Sequence, residues 1–173
     1  MKVSKKYLIL TIIVCVLAIA INAYIIVHSC LDAQASTKAA SGVVEVTEEV
    51  VNTISPGTIT PENHDSFVVF VRKAFGHFGL FAISGLLSPL AIYLTLNPLK
   101  WSKYWMLIVI SLSFGLAMGV LTEIIQLSVP GRSGEFKDVL IDFGGYVLGF
   151  LIILLILFLI IRHQNKKHQT VNE

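Results

Sequence analysis

The hydrophobic pattern of this chain is one of long apolar runs separated by short polar stretches. Four runs meet the length of roughly 20 mainly apolar residues that a helix needs to cross hydrocarbon. They are residues 7–27, 74–96, 104–127 and 143–161. The pattern therefore predicts an all-α protein, an integral membrane helical bundle with four transmembrane helices. Composition supports this: 173 residues that are 55% hydrophobic and 14% charged, with a mean hydropathy of +0.79, are too apolar for an ordinary soluble domain.

Charge then orients the spans. Lys2, Lys5 and Lys6 precede the first, Lys100 and Lys103 lie between the second and third, and Arg162, Lys166 and Lys167 follow the fourth. All three clusters fall on one side. By the positive-inside rule both termini are expected to be cytoplasmic, with residues 28–73 and 128–142 outside. Ala33-Gln34-Ala35 resembles a signal-peptide cleavage site, but the first apolar run exceeds the roughly 7 to 15 residues of a signal core, which favours a retained anchor. The expected organisation is an N-terminal anchor (1–30), an outer polar connector (31–64), a membrane domain of three helices (65–161) and a basic cytoplasmic tail (162–173).

The net charge is only +2, and the basic residues are not interleaved with aromatics, so nucleic-acid binding has no support. Cys15 and Cys30 are too few and too far apart for a disulfide framework or a zinc site. Cys30 follows Ile26-Val27-His28-Ser29, a poor imitation of a lipoprotein signal.

Residues 36–64 are polar, with Ser41-Gly42, Ser55-Pro56-Gly57 and acidic Glu45, Glu48 and Glu49. Val43, Val44, Val46, Val50 and Val51 add apolar character, so the segment reads as a mobile connector or as a short amphipathic turn or strand on the membrane. Thr60-Pro61-Glu62 has the signature of a helix start, and Pro89 is expected to kink the second span. Gly115 with Gly119, and Gly145 with Gly149, are each one turn apart, as in membrane helices that pack closely; packing is favoured over dimerisation.

Against this apolar background one set of polar residues stands out. Lys73 and His77 are four apart near the start of the second span, Glu123 and Gln126 three apart near the end of the third, and Arg132 lies in the loop. Asp138 and Asp142 are four apart at the start of the fourth span. A charged group deep in hydrocarbon costs roughly 2.5 to 3.5 kcal/mol even on mild scales, so such residues pair with one another or line a site. Lys73, His77 and Arg132 can neutralise Glu123, Asp138 and Asp142, which would make the cluster a latch that fixes helix register. The same groups can surround an outward-open pocket in which arginine and lysine hold a phosphate. Glu123 and His77 are the candidate base and acid of a catalytic reading, although no catalytic signature is present. With one candidate histidine and no ligand spacing, the sequence points to no metal and to no cofactor.

In order and placement these residues resemble the VanZ-like family of bacterial membrane proteins. The matching pieces are Lys73 with His77-Phe78, Glu123 with Gln126, Arg132, and Asp138 with Asp142, Gly145 and Gly149. Phe81 stands where members often have Tyr, and Thr122 where an acidic residue often precedes the glutamate. The resemblance covers about residues 65–161. It implies a multi-pass protein of the bacterial plasma membrane, in a family named for a member that lowers susceptibility to teicoplanin-type glycopeptides. The leading expectation is a site that recognises the headgroup of a membrane lipid or of a lipid-linked cell-wall precursor. An enzyme acting on a lipid-linked substrate, and a structural or assembly protein, are the alternatives.

Overall fold

The computed structural model describes residues 4–96 and 104–170. Lys2, Lys100 and Lys103, part of the charge pattern above, lie outside the described residues. Every regular element among the described residues is helical: α1 (Lys5–Ser29), α2 (Ala33–Ile54), α3 (His64–Val71), a π-helical segment (Arg72–Gly79), α4 (Leu80–Leu96), α5 (Tyr104–Leu127) and α6 (Phe136–Thr170). Among the described residues four stretches are long and apolar enough to cross a membrane: Lys5–Ser29, His64–Leu96, Trp105–Leu127 and Phe136–Ile160. The second is one continuous helical rod built from α3, the π segment and α4.

The bundle is held by close backbone approach. A Cβ built on Gly145 would overlap the carbonyl of Phe78, one on Gly149 the carbonyl of Ala82, and one on Gly85 the carbonyl of Tyr146. Only glycine lets α6 lie this near the rod, because lipid tails supply no hydrophobic drive between helices and packing must supply the attraction. Gly115 of α5 makes room for the Tyr146 ring, and Gly119 faces the Asp142 side chain. The small-residue pairs are thus used within one chain. Phe81, Met118, Tyr146, Phe150 and Ile25 form the buried core around these contacts.

α1 joins the bundle through polar contacts as well as apolar ones. The Asn22 amide donates to the Ser88 hydroxyl at 2.9 Å, and the Ser84 hydroxyl donates to the Asn22 carbonyl oxygen at 2.9 Å. Interhelical bonds of this kind fix rotation and register in a medium that offers no competing water.

Two local expectations are corrected. The stretch read as a connector or as a short turn or strand contains α2, a helix of 22 residues whose Asp32 cap accepts from the Ala35 amide at 2.7 Å. The helix expected to start at Thr60-Pro61-Glu62 begins instead at His64, because the Asn63 side chain accepts from the Thr60 amide at 2.8 Å and holds a turn ahead of it. Pro89 lies buried inside α4, while the marked irregularity of this span is the π segment at Arg72–Gly79. That segment carries Gly76 and Gly79, and it bears Lys73 and His77. π-helical interruptions of α-helices are frequent at functional sites.

Candidate functional site

The polar residues converge at the end of the bundle that carries the α1–α3 connection and the α5–α6 loop. Helix geometry brings them there: Asp142 lies three residues before Gly145, whose contact with the Phe78 backbone sets α6 beside His77. His77 Nδ1 is 3.0 Å from Asp142 Oδ1. Asp142 is fully buried, and the Thr122 hydroxyl, directed at the Gly119 carbonyl at 2.8 Å, lies 3.4 Å from its second oxygen. Thr122 therefore serves Asp142 as a neutral neighbour.

A second pair lies closer to the loop. Lys73 Nζ donates to Asp138 Oδ1 at 2.5 Å and to Glu135 Oε2 at 3.4 Å. Asp138 sits in the first turn of α6, where the helix dipole favours a carboxylate.

Glu123 and Arg132 do not pair directly, contrary to the simplest electrostatic expectation. Gln126 stands between them: its amide donates to Glu123 Oε1 at 3.1 Å and its carbonyl oxygen accepts from Arg132 Nη2 at 2.6 Å. The other oxygen of Glu123 accepts from the backbone amide of Glu135 at 2.9 Å, which ties α5 to the loop. Gly131, at φ +72°, turns that loop back toward the helices. Arg132 Nη1 is buried with no hydrogen-bond partner. Burial, and then the Arg72 guanidinium, lower the Arg132 pKa, but an arginine remains a cation.

Two adjoining cavities open among these groups. One, of about 160 Å³, is lined by His28, Ser36, Arg72, His77, Arg132 and Asp142 together with apolar residues of α1, α2 and α4. The other, of about 230 Å³, lies toward the loop and is lined by Arg72, Lys73, His77, Arg132, Glu135 and Asp138. All seven candidate residues, Lys73, His77, Glu123, Gln126, Arg132, Asp138 and Asp142, thus fall in one polar cluster, though within it they divide into two pairs and the Glu123–Gln126–Arg132 chain.

The VanZ/LLP1 family profile matches residues 7–159. The chain belongs to the VanZ/LLP1 family. The match takes in α1 and α2 as well as the three helices that carry the charged residues. With its four membrane-capable helices, this VanZ/LLP1 protein is a multi-pass membrane protein. No curated protein and no solved structure gives a significant match to it.

Several lining residues of this VanZ/LLP1 chain escaped the sequence reading. Arg72 was visible as a charge at the start of the second span, but its role depends on α2, where Ser36 and Thr37 accept from its guanidinium at 3.1 and 3.3 Å. His28, at the end of α1, faces the same cavity. The signal for α2 was present: Ser36, Ala40, Val44, Thr47 and Val51 follow helical spacing and form its inward side.

The Lys73–Asp138 pair has a testable consequence. Lys73→Met strips Asp138, 9% exposed, of its charged partner, and is expected to cost about 2–4 kcal/mol. That is less than the cost of breaking a fully buried pair, because Lys73 is 32% exposed. Thermal unfolding of purified protein in detergent checks this, and adding Asp138→Asn to the same chain should recover part of the loss.

Proposed function

We propose that this VanZ/LLP1 protein binds the phosphate-bearing headgroup of a membrane lipid or lipid-linked cell-wall precursor at the outer face of the bacterial plasma membrane. Occupying or shielding that headgroup would lower susceptibility to teicoplanin-type glycopeptides. The observation that carries the reading is Arg132, a half-buried side chain that lines both cavities and whose Nη1 is buried with no hydrogen-bond partner. A buried donor left unmade costs about 1–3 kcal/mol or more when charged, and a ligand oxygen removes that cost. Arg72 and His28 line the 160 Å³ cavity with it, so the polar part of the wall is rich in donors suited to an oxyanion.

The membrane setting is consistent with such a ligand. The apolar residues around the same cavity, among them Ile25, Val43, Leu80 and Phe81, suit the first carbons beyond a headgroup. On α2, Val43, Val46, Val50 and Ile54 leave an exposed apolar stripe at helical spacing, which suits a helix lying in the interface. The three lysine and arginine clusters at the opposite ends of the spans support an orientation with this end of the bundle outside and both termini in the cytoplasm.

A strain lacking the gene tests the reading when complemented with intact protein, Glu123→Ala or Arg132→Gln at equal membrane abundance. Only the intact gene is expected to lower teicoplanin susceptibility. Full protection by either variant would sink the proposal.

A further inference from the structure

Beside the cavity stand three groups, two of them buried, that make no bond to an arginine. His77, Glu123 and Asp142 come from the π segment, α5 and α6, and each offers a ligand atom within 4.8 Å of the other two. Glu123 is 6% exposed and Asp142 0%. His77 Nδ1 and Asp142 Oδ1 stand 3.0 Å apart. With metal–nitrogen and metal–oxygen bonds of roughly 2.0–2.2 Å, two ligands of one ion lie about 3.0–3.5 Å apart at right-angle to tetrahedral geometry. The first pair already has that spacing, and Glu123 needs only a side-chain adjustment of about an ångström to join it.

Charge gives an independent reason. Among the described residues Glu123 makes no ion pair: its oxygens accept from the neutral Gln126 amide and the Glu135 backbone. Lys73 is engaged by Asp138 and Glu135, and Arg132 bonds to Gln126. Two buried carboxylates are left with a single imidazole between them, and buried charges are paired or coordinate metals.

We infer that His77, Glu123 and Asp142 form a binding site for a divalent transition-metal cation. One imidazole and two carboxylates suit Zn²⁺ or Mn²⁺. Thr122, Gln126 and the Glu135 amide would orient the ligating carboxylates, as hydrogen bonds behind metal ligands commonly do. Three protein ligands leave a position for an outside oxygen, and His77 and Asp142 both border the 160 Å³ cavity. If the phosphate proposal also holds, that oxygen is the phosphate's, held between the metal and Arg132. The metal site itself does not depend on it.

The test uses full-length protein in detergent, stripped with chelator and reloaded with Mn²⁺ or Zn²⁺ alone. About one metal per chain should survive size exclusion, with nitrogen hyperfine coupling in the Mn²⁺ resonance and a raised melting temperature. His77→Ala, Asp142→Asn and Glu123→Gln should each weaken binding at least roughly tenfold. Arg132→Gln should retain the metal. Wild-type protein that takes up no metal, or bound Mn²⁺ without nitrogen coupling, overturns the inference whatever the folding of the variants. Metal bound without phosphate-lipid binding leaves this inference standing and removes the proposed function. Phosphate-lipid binding without metal does the reverse.

Discussion

Gly145→Val is expected to abolish the folded bundle, while Gly144→Ala, one residue away, leaves it intact. The difference lies in what each side chain would meet. At Gly145 the new Cβ runs into the Phe78 carbonyl and its neighbouring backbone atoms, whereas at Gly144 the nearest atom is the edge of the Phe78 ring at 3.9 Å, an ordinary contact. A flexible side chain can yield by tenths of an ångström; a hydrogen-bonded helix backbone cannot. Overpacking typically costs about 1–3 kcal/mol where side chains can shift, and a backbone collision exceeds this, against a total stability of roughly 5–15 kcal/mol. Size-exclusion profiles and thermal melts in detergent check the pair. The effect should reach the site as well, because the same contact sets Asp142 beside His77.

Arg132→Gln should weaken binding of a phosphate-bearing lipid by about 10- to 100-fold, as expected for loss of a hydrogen bond to a charged group worth about 1.5–3 kcal/mol. Its effect on stability should be small by comparison with Lys73→Met. Arg132 bonds to neutral Gln126 and leaves one nitrogen unpartnered, so removing it strands no buried opposite charge. Arg132→Lys should restore binding only in part, since an ammonium lacks the planar fork that meets two phosphate oxygens. Native mass spectrometry against a phosphorylated lipid and its unphosphorylated counterpart measures both. The opposite signature, a large loss of stability with unchanged lipid binding, would mark Arg132 as part of a latch.

How much of this was legible in the sequence follows from the range of each interaction. The four spans were legible because a membrane helix is specified by length and apolarity alone, and residues 74–96 and 104–127 needed no partner to be recognised. The end of the bundle at which Lys73, His77, Glu123 and Asp142 gather was legible too, since sequence position along a span gives depth. Rotation about each helix axis was not. It decides that Asp138 meets Lys73 while Asp142 meets His77, and that Gln126 stands between Glu123 and Arg132. α2 was missed because its inner face mixes Ser36, Ala40 and Thr47 with Val44 and Val51, and part of what it meets is the polar Arg72, which bonds to Ser36. The π segment had no sequence signal beyond Gly76 and Gly79.

The most direct measurement is the distance from the Arg132 guanidinium nitrogens to the phosphorus of a bound lipid. It can be read by nitrogen–phosphorus dipolar recoupling on protein with labelled arginine, in phosphate-free detergent with one equivalent of lipid. Arg162, in the basic tail, is replaced by Lys so that only Arg72 and Arg132 carry the label. A charge-assisted contact of about 2.8 Å to a phosphate oxygen places the nitrogen about 4 Å from phosphorus. The expected result is dephasing at about 4 Å that falls in Arg132→Gln to whatever Arg72 contributes. Bound lipid with no dephasing, or dephasing unchanged in that variant, would contradict the assignment of this site to a phosphate headgroup.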